Sequence, residues 1–139
     1  MYSKILVPVD LSHLDKMPKT LETAIDIAKH YHSTLCYVTV TNTTPGAAAH
    51  NPKELAEKLK EFAEEQGKSH GIKTQSEVIE TPDTAVELDD RLLDVIEETG
   101  ADLVVMASHP PGTGDRLHIL HSNAARLVKH SDVSIFVVR

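Results

Sequence analysis

Tryptophan is absent from this chain of 139 residues, aromatic residues make up only 4% of it, and cysteine occurs once. A single thiol excludes a disulfide framework, and its neighbours Leu35, Tyr37 and Val38 mark Cys36 as a buried structural thiol suited to a reducing compartment. No apolar stretch approaches membrane-spanning length, and the opening Met1-Tyr2-Ser3-Lys4 leads into no long apolar core or small-residue cleavage site. A cytoplasmic protein without a membrane partner is expected. Positive charge is scarce as well: 14 Lys+Arg against 21 Asp+Glu give a net charge of −7. That balance disfavours a broad nucleic-acid surface, which needs concentrated positive charge, but leaves room for a nucleotide held locally by backbone amides.

The chain reads as one domain over residues 1–139, without internal repeats or low-complexity tracts. Ile5, Leu6, Val7 and Val9 form a continuous apolar run of the kind found in a strand covered on both faces. Leu21, Ala24, Ile25 and Ala28 then recur at helical spacing up to about His30, with Pro18 in or before the first turn. Leu35 to Val40 give a second strand, followed by a polar loop from Thr41 to His50. Asn51-Pro52-Lys53-Glu54 combines an N-cap residue, a first-turn proline and a capping-box glutamate. The helix it opens buries Leu55, Leu59, Phe62 and Ala63, and ends at Gly71 or, a turn earlier, at Gly67.

Lys73 to Ile79 alternates polar and apolar residues, which suits an edge strand. A third helix runs from about Asp83, with Gly100 just past its end; Leu103 to Met106 form a fourth strand; Ala124, Leu127 and Val128 mark a short last helix; Val133 to Val138 close the chain as a fifth strand. Strands alternating with helices imply right-handed crossovers and an open, doubly wound parallel α/β sheet with helices on both faces. The ligand site of such a sheet lies beyond the carboxy ends of its strands, at the switch in strand order. That places Asp10, Val40 and the loop after Met106 near one another.

Two segments there carry candidate chemistry. In Pro8-Val9-Asp10-Leu11-Ser12 an acid emerges from the first strand; it can accept hydrogen bonds from a ribose or base, approach a metal held by phosphates, or, like Ser12, simply cap the next helix. The second is the loop from Ala107 to Ser122, whose Gly112-Thr113-Gly114 leads towards the last helix and can present amides to phosphate. His109, His118 and His121 share that loop and could bind zinc or nickel if it folds back on itself, but no cysteine or assured carboxylate completes the set, and exposed polar histidines around a nucleotide crevice account for them more simply. His30 and His32, near a helix end, are expected to meet its terminal carbonyls.

Three stretches in order resemble the universal stress protein family over essentially the whole chain: Lys4 to Ser12, Gly100 to His109, and Ser122 to His130 running into Val133 to Arg139. The resemblance implies a five-stranded sheet in the order 3-2-1-4-5, a homodimer formed through the last strand and, in one branch, ATP or another adenine nucleotide in the crevice. It implies that Val9 and Asp10, following Pro8, meet adenine and ribose, that Val40 walls the adenine, that Met106 and Ala107 floor the site, and that Ser122 and Asn123 bind phosphates. The ATP-binding branch reads Gly, two residues, Gly, nine residues, then Gly and Ser or Thr. This chain has Ala107, Pro110 and His121 at those places, with ten residues before His121.

Pro110 and Pro111 remove two amide donors, His121 adds a side chain where close backbone approach is needed, and Asp115 repels phosphate if it faces it. Gly112, Gly114, Arg116, His118 and His121 can build a different anion site in compensation. The leading expectation is a non-catalytic stress-response or regulatory module that binds adenine nucleotide, with Mg²⁺, at reduced affinity, and works through an unidentified protein partner. Alternatives are a nucleotide-independent dimeric interaction protein and a weak Mg²⁺-dependent ATP hydrolase using Asp10 with His109 as proton acceptor. The hydrolase lacks a P-loop lysine pattern and a convincing acid–base pair. A phosphoacceptor receiver is disfavoured because no acid ends the third strand in the required way and no lysine follows the fifth; a flavin domain is disfavoured by the scarcity of aromatics.

Overall fold

The computed structural model describes residues 1–42, 52–81, 85–107 and 124–139. These form β1 (Lys4–Pro8), a 3-10 helix (Leu11–Lys16), α1 (Pro18–Tyr31), β2 (Thr34–Asn42), α2 (Pro52–His70), β3 (Lys73–Thr81), α3 (Ala85–Thr99), β4 (Leu103–Ala107), α4 (Ala124–His130) and β5 (Ser134–Val138). The strands make one five-stranded sheet in the order β3-β2-β1-β4-β5, every pair parallel. This is the expected architecture. Right-handed crossovers put α1 and α2 on one face and α3 and α4 on the other, where α3 and α4 touch.

Burial follows from that order. Central β1 and β4 are covered on both faces, so Ile5, Leu6, Val7 and every residue from Leu103 to Ala107 are buried. Edge strand β3 instead exposes Lys73, Gln75 and Glu77 in alternation with half-buried Thr74, Ser76 and Val78. Leu59 and Ala63 of α2 are buried against β2 and β3, where the Thr74 hydroxyl donates to the Ala63 carbonyl at 2.7 Å.

Local boundaries correct several expectations. Gly71, at φ +66, ends α2 in the left-handed region that favours glycine, and its N–H returns to the Gly67 carbonyl. Gly67 therefore lies inside the helix, where a Cβ would come within 2.9 Å of the Thr74 hydroxyl oxygen. Gly100, at φ +71, ends α3 in the same way. α1 stops at His32, a non-glycine residue at φ 55 whose backbone N–H, rather than its ring, reaches the Ala28 carbonyl; the His30 ring packs edge-on against Tyr31. β2 includes Thr41 and Asn42, which were expected in the loop, and β5 begins one residue later than expected. The expected N-cap Asn51, the rest of the 43–51 loop and the start of the third helix at 82–84 lie outside the described residues.

At the amino ends of the strands, Asp102 ties the centre of the sheet together. Its carboxylate accepts the Ser3 N–H at 2.9 and 3.1 Å and the Lys4 N–H at 3.1 Å, while its own N–H donates to the Lys4 carbonyl at 3.0 Å. Charged acceptors strengthen such bonds to about 1.5–3 kcal/mol each, less where water competes. Asp102→Ala is therefore expected to lower unfolding stability by about 2 kcal/mol in urea titrations, with Asp102→Asn intermediate. An unchanged midpoint in both would show that the clamp is replaced by water.

Cys36 and Tyr37 are both fully buried on β2. Burial first, then the Glu77 carboxylate, push the Cys36 thiol up from 9.0 to about 11 against a smaller opposing pull from Lys4; burial alone pushes the Tyr37 phenol up from 10.0 to about 12. Tyr37 packs edge-on against Phe62, with ring centroids 5.0 Å apart, and among the described residues its hydroxyl has no hydrogen-bond partner. The unfolded chain ionises these groups sooner than the folded one. Their contribution to stability is thus complete below pH 9 and is lost as pH rises through the 9–12 range. Tyr37→Phe removes a desolvated hydroxyl as well as one of the two titrations. It is expected to be neutral or stabilising by about 1 kcal/mol at pH 7, and to soften the alkaline fall above pH 10. A clear loss of stability at pH 7 would contradict this account.

Candidate nucleotide crevice

The sheet register decides what meets at the carboxy ends. Val7 pairs with Tyr37 and Pro8 with Val38, so two residues further on Asp10 stands level with Val40. Ile5 pairs with Leu103, which brings Pro8 level with Met106 and Val9 level with Ala107. The Val9 N–H donates to the Val38 carbonyl at 2.7 Å, carrying the pairing one residue beyond β1. Here the chain leaves β1 towards β2, while β4 lies on the other side; this is the switch in strand order beyond which doubly wound sheets bind their ligands.

Pro8, Val9, Met106 and Ala107 are buried at the carboxy ends of β1 and β4, whereas Asp10 and Val40 are half-buried. β2 and β3 remain paired through Thr41↔Glu80 and Asn42↔Thr81, so they project past the level of Asp10 as a wall. Thr41, only 2% exposed, belongs to that wall and was missed as a strand residue. Its signal was present in Tyr37-Val38-Thr39-Val40-Thr41, where β-branched residues recur without interruption.

Asp10 is followed directly by the 3-10 helix, and Met17, 1% exposed, occupies the cap position of α1 without a side-chain cap bond. Neither Asp10 nor Ser12 stands at the α1 cap, while Asp10 directly precedes the 3-10 helix and so holds the cap position of that helix. Among Pro8–Asp10, Val40–Asn42 and Met106–Ala107, Asp10 is the one ionisable residue. A carboxylate beside buried apolar strand ends can accept hydrogen bonds from ligand hydroxyl or amino groups.

The other sequence candidates, His109, Gly112, Gly114, His121, Ser122 and Asn123, lie outside the described residues, as do Pro110, Pro111, Arg116 and His118. Among the described residues no group of three His, Cys, Asp or Glu side chains could hold a metal ion, and no helix is long and apolar enough to cross a membrane.

The universal stress protein family model matches residues 1–139. Universal stress protein G of Shigella flexneri is 25% identical over 153 aligned residues, with both chains fully covered. Among solved structures, the universal stress protein of Archaeoglobus fulgidus in complex with dAMP is 16% identical with a TM-score of 0.65, covering 99% of this chain and 98% of its own. A universal stress protein family protein of Arabidopsis thaliana with AMP bound is 14% identical with a TM-score of 0.63, covering 98% of this chain and 90% of its own. The fold and strand order agree with the match over the full length, and this chain belongs to the universal stress protein family.

Proposed function

We propose that this protein is a non-catalytic, cytoplasmic regulatory module of stress responses that binds adenine nucleotide in the crevice, with ATP and Mg²⁺ held at reduced affinity. The observation that carries the reading is the convergence of Asp10, Val40, Met106 and Ala107 at the β1/β4 switch point. In this reading Val40 walls the base, Met106 and Ala107 floor it, and Asp10 accepts hydrogen bonds from the ribose. Family members of the same fold that hold dAMP and AMP support it. Ser122 and Asn123, with Gly112, Gly114, His109 and His121, would serve the phosphates. The buried thiol of Cys36 suits a reducing compartment.

Binding without turnover is the expected behaviour. Titration calorimetry with ATP and Mg²⁺ should show stoichiometric binding that Asp10→Ala weakens by roughly tenfold, the effect of one lost charge-assisted bond. Phosphate release should stay at the level of a buffer blank. Release that disappears in both Asp10→Ala and His109→Ala would establish the hydrolase instead, and unaltered binding in Asp10→Ala would remove Asp10 from the site.

The module is further proposed to be a homodimer through β5. This strand forms a sheet edge with no charged residue between Val133 and Val138, and Phe136 and Val137 are 46% and 41% exposed. Successive strand residues point to opposite faces, so the edge is apolar on both, and Val128 of α4 is also exposed. An antiparallel partner centred on Phe136 would cover it. Light scattering at micromolar concentration should give a dimer mass, and Phe136→Lys a folded monomer; a wild-type monomer would refute this interface.

A further inference from the structure

The sheet has a second edge, chemically unlike β5. β3 contains no proline, and among the described residues no strand pairs with its outer side. Beside it lies an open groove of about 350 Å³, lined by Thr74, Gln75, Ser76 and Glu77 of the strand and by Lys60 and Glu64 of α2. The outward backbone groups of such an edge can take a further strand. Charge protects many edges, but here both signs are present: Lys73 and Glu77 stand on one face of β3, two residues to either side of Gln75, and all three are exposed. Lys60 and Glu64 of α2, also exposed, repeat the pattern of opposite signs four residues apart. Among the described residues none of these four charged side chains forms an ion pair within the chain, although Glu54 and Lys58, at the same spacing on α2, pair at 3.5 Å.

In one register this strand is its own complement. An antiparallel second copy, related by a two-fold axis through Gln75, sets Lys73 opposite the second copy's Glu77 and Glu77 opposite its Lys73, with Thr74 opposite Ser76 on the other face. The remaining charge of the strand, Glu80, comes opposite the second copy's His70. Moving the axis to Ser76 sets Lys73 against Ile79, and moving it to Glu77 sets two carboxylates against each other, so charge selects the register. The helices obey the same axis. α2 runs antiparallel to β3 and meets it where the Thr74 hydroxyl donates to the Ala63 carbonyl; one strand residue spans about two helical ones, so the level of Gln75 falls near Phe62, midway between Lys60 and Glu64. Lys60 of each copy therefore comes level with Glu64 of the other. Phe62 packs on Tyr37 of β2 while Ala63 meets Thr74 of β3, which sets the α2 axis between these strands. The two copies of α2 then lie two strand spacings apart, roughly 10 Å, an ordinary distance for packed helices.

We infer that the β3 edge and α2 form a second self-association surface, whose occupant is the same edge of another copy of this chain. This contact is weaker than one through β5, because polar edge groups and exposed ion pairs exchange water for one another at little net gain, whereas the β5 edge is apolar. It is independent of β5, and acting with it would join dimers into larger assemblies as protein concentration rises.

The test is disulfide trapping in the full-length protein. Gln75 faces its own copy across the axis, so in Gln75→Cys the two Cα atoms come about 5 Å apart, within reach of a disulfide, whereas in Glu77→Cys they come roughly 14 Å apart. Cys36 is fully buried and does not compete. Under mild oxidation Gln75→Cys is expected to form a covalent dimer at least about tenfold faster than Glu77→Cys, in the Phe136→Lys background as well. Adding Lys73→Glu to Gln75→Cys should slow trapping by roughly tenfold, and adding Glu77→Lys to that pair should restore it. Equal rates for the two cysteines, or indifference to charge reversal, would overturn the inference. Without any new thiol, Phe136→Lys should be a monomer at micromolar concentration and a dimer at several times about 100 µM by sedimentation equilibrium. A monomer persisting to about 1 mM would overturn the β3 contact whatever becomes of β5.

Discussion

The parallel pairing of β1 with β4 is the constraint on which the rest of the molecule depends. The chain runs from β1 outward through β2 and β3, then crosses back to lay β4 against the opposite side of β1. Only at that junction do successive connections diverge to opposite faces, which makes it the place where a doubly wound sheet binds its ligand. The pairing is fixed at the amino ends by the Asp102 carboxylate on the Ser3 and Lys4 amides, and in the middle by side chains buried on both faces. A clamp at one end sets the register, and the register places Asp10, Val40, Met106 and Ala107 at the other. The placing of these four residues is therefore a consequence of pairing at the opposite ends of the strands.

Much of this architecture was legible because its signals are local and redundant. The run Ile5-Leu6-Val7 has no reading other than a strand covered twice, and the polar alternation from Lys73 to Ile79 has little other than an edge. Pro18 and Gly100 punctuate helices where backbone chemistry requires it. The misreadings fell where a long-range partner decides. Thr41 still continues a β-branched run, but Asn42 is polar and looks like loop, and it is Thr81 on β3 that pairs with it in the sheet. His32 ends α1 in a left-handed conformation that glycine usually takes, so no turn residue announced it. The 3-10 helix from Leu11 to Lys16 has no period of its own, and its role as a spacer shows only once Met17 is seen buried at the cap position of α1.

Asp102 illustrates a different limit. It lies within the Gly100-Ala101-Asp102-Leu103 stretch that carried the family resemblance, yet no sequence argument assigned it a task. Its partners are backbone amides nearly a hundred residues away, and an amide has no sequence signature. The same reasoning applies to the crevice. Asp10 was identifiable because an acid leaving a buried strand is conspicuous; Met106 and Ala107 are ordinary strand residues and stood out only through resemblance.

The described strand ends owe their positions to packing before any ligand. Pro8, Val9, Val40, Met106 and Ala107 are held by strand register, and altering them disturbs the core against which they pack. Sequence change at these positions is limited by the sheet first, so the surface that they present follows from the fold rather than from any one ligand.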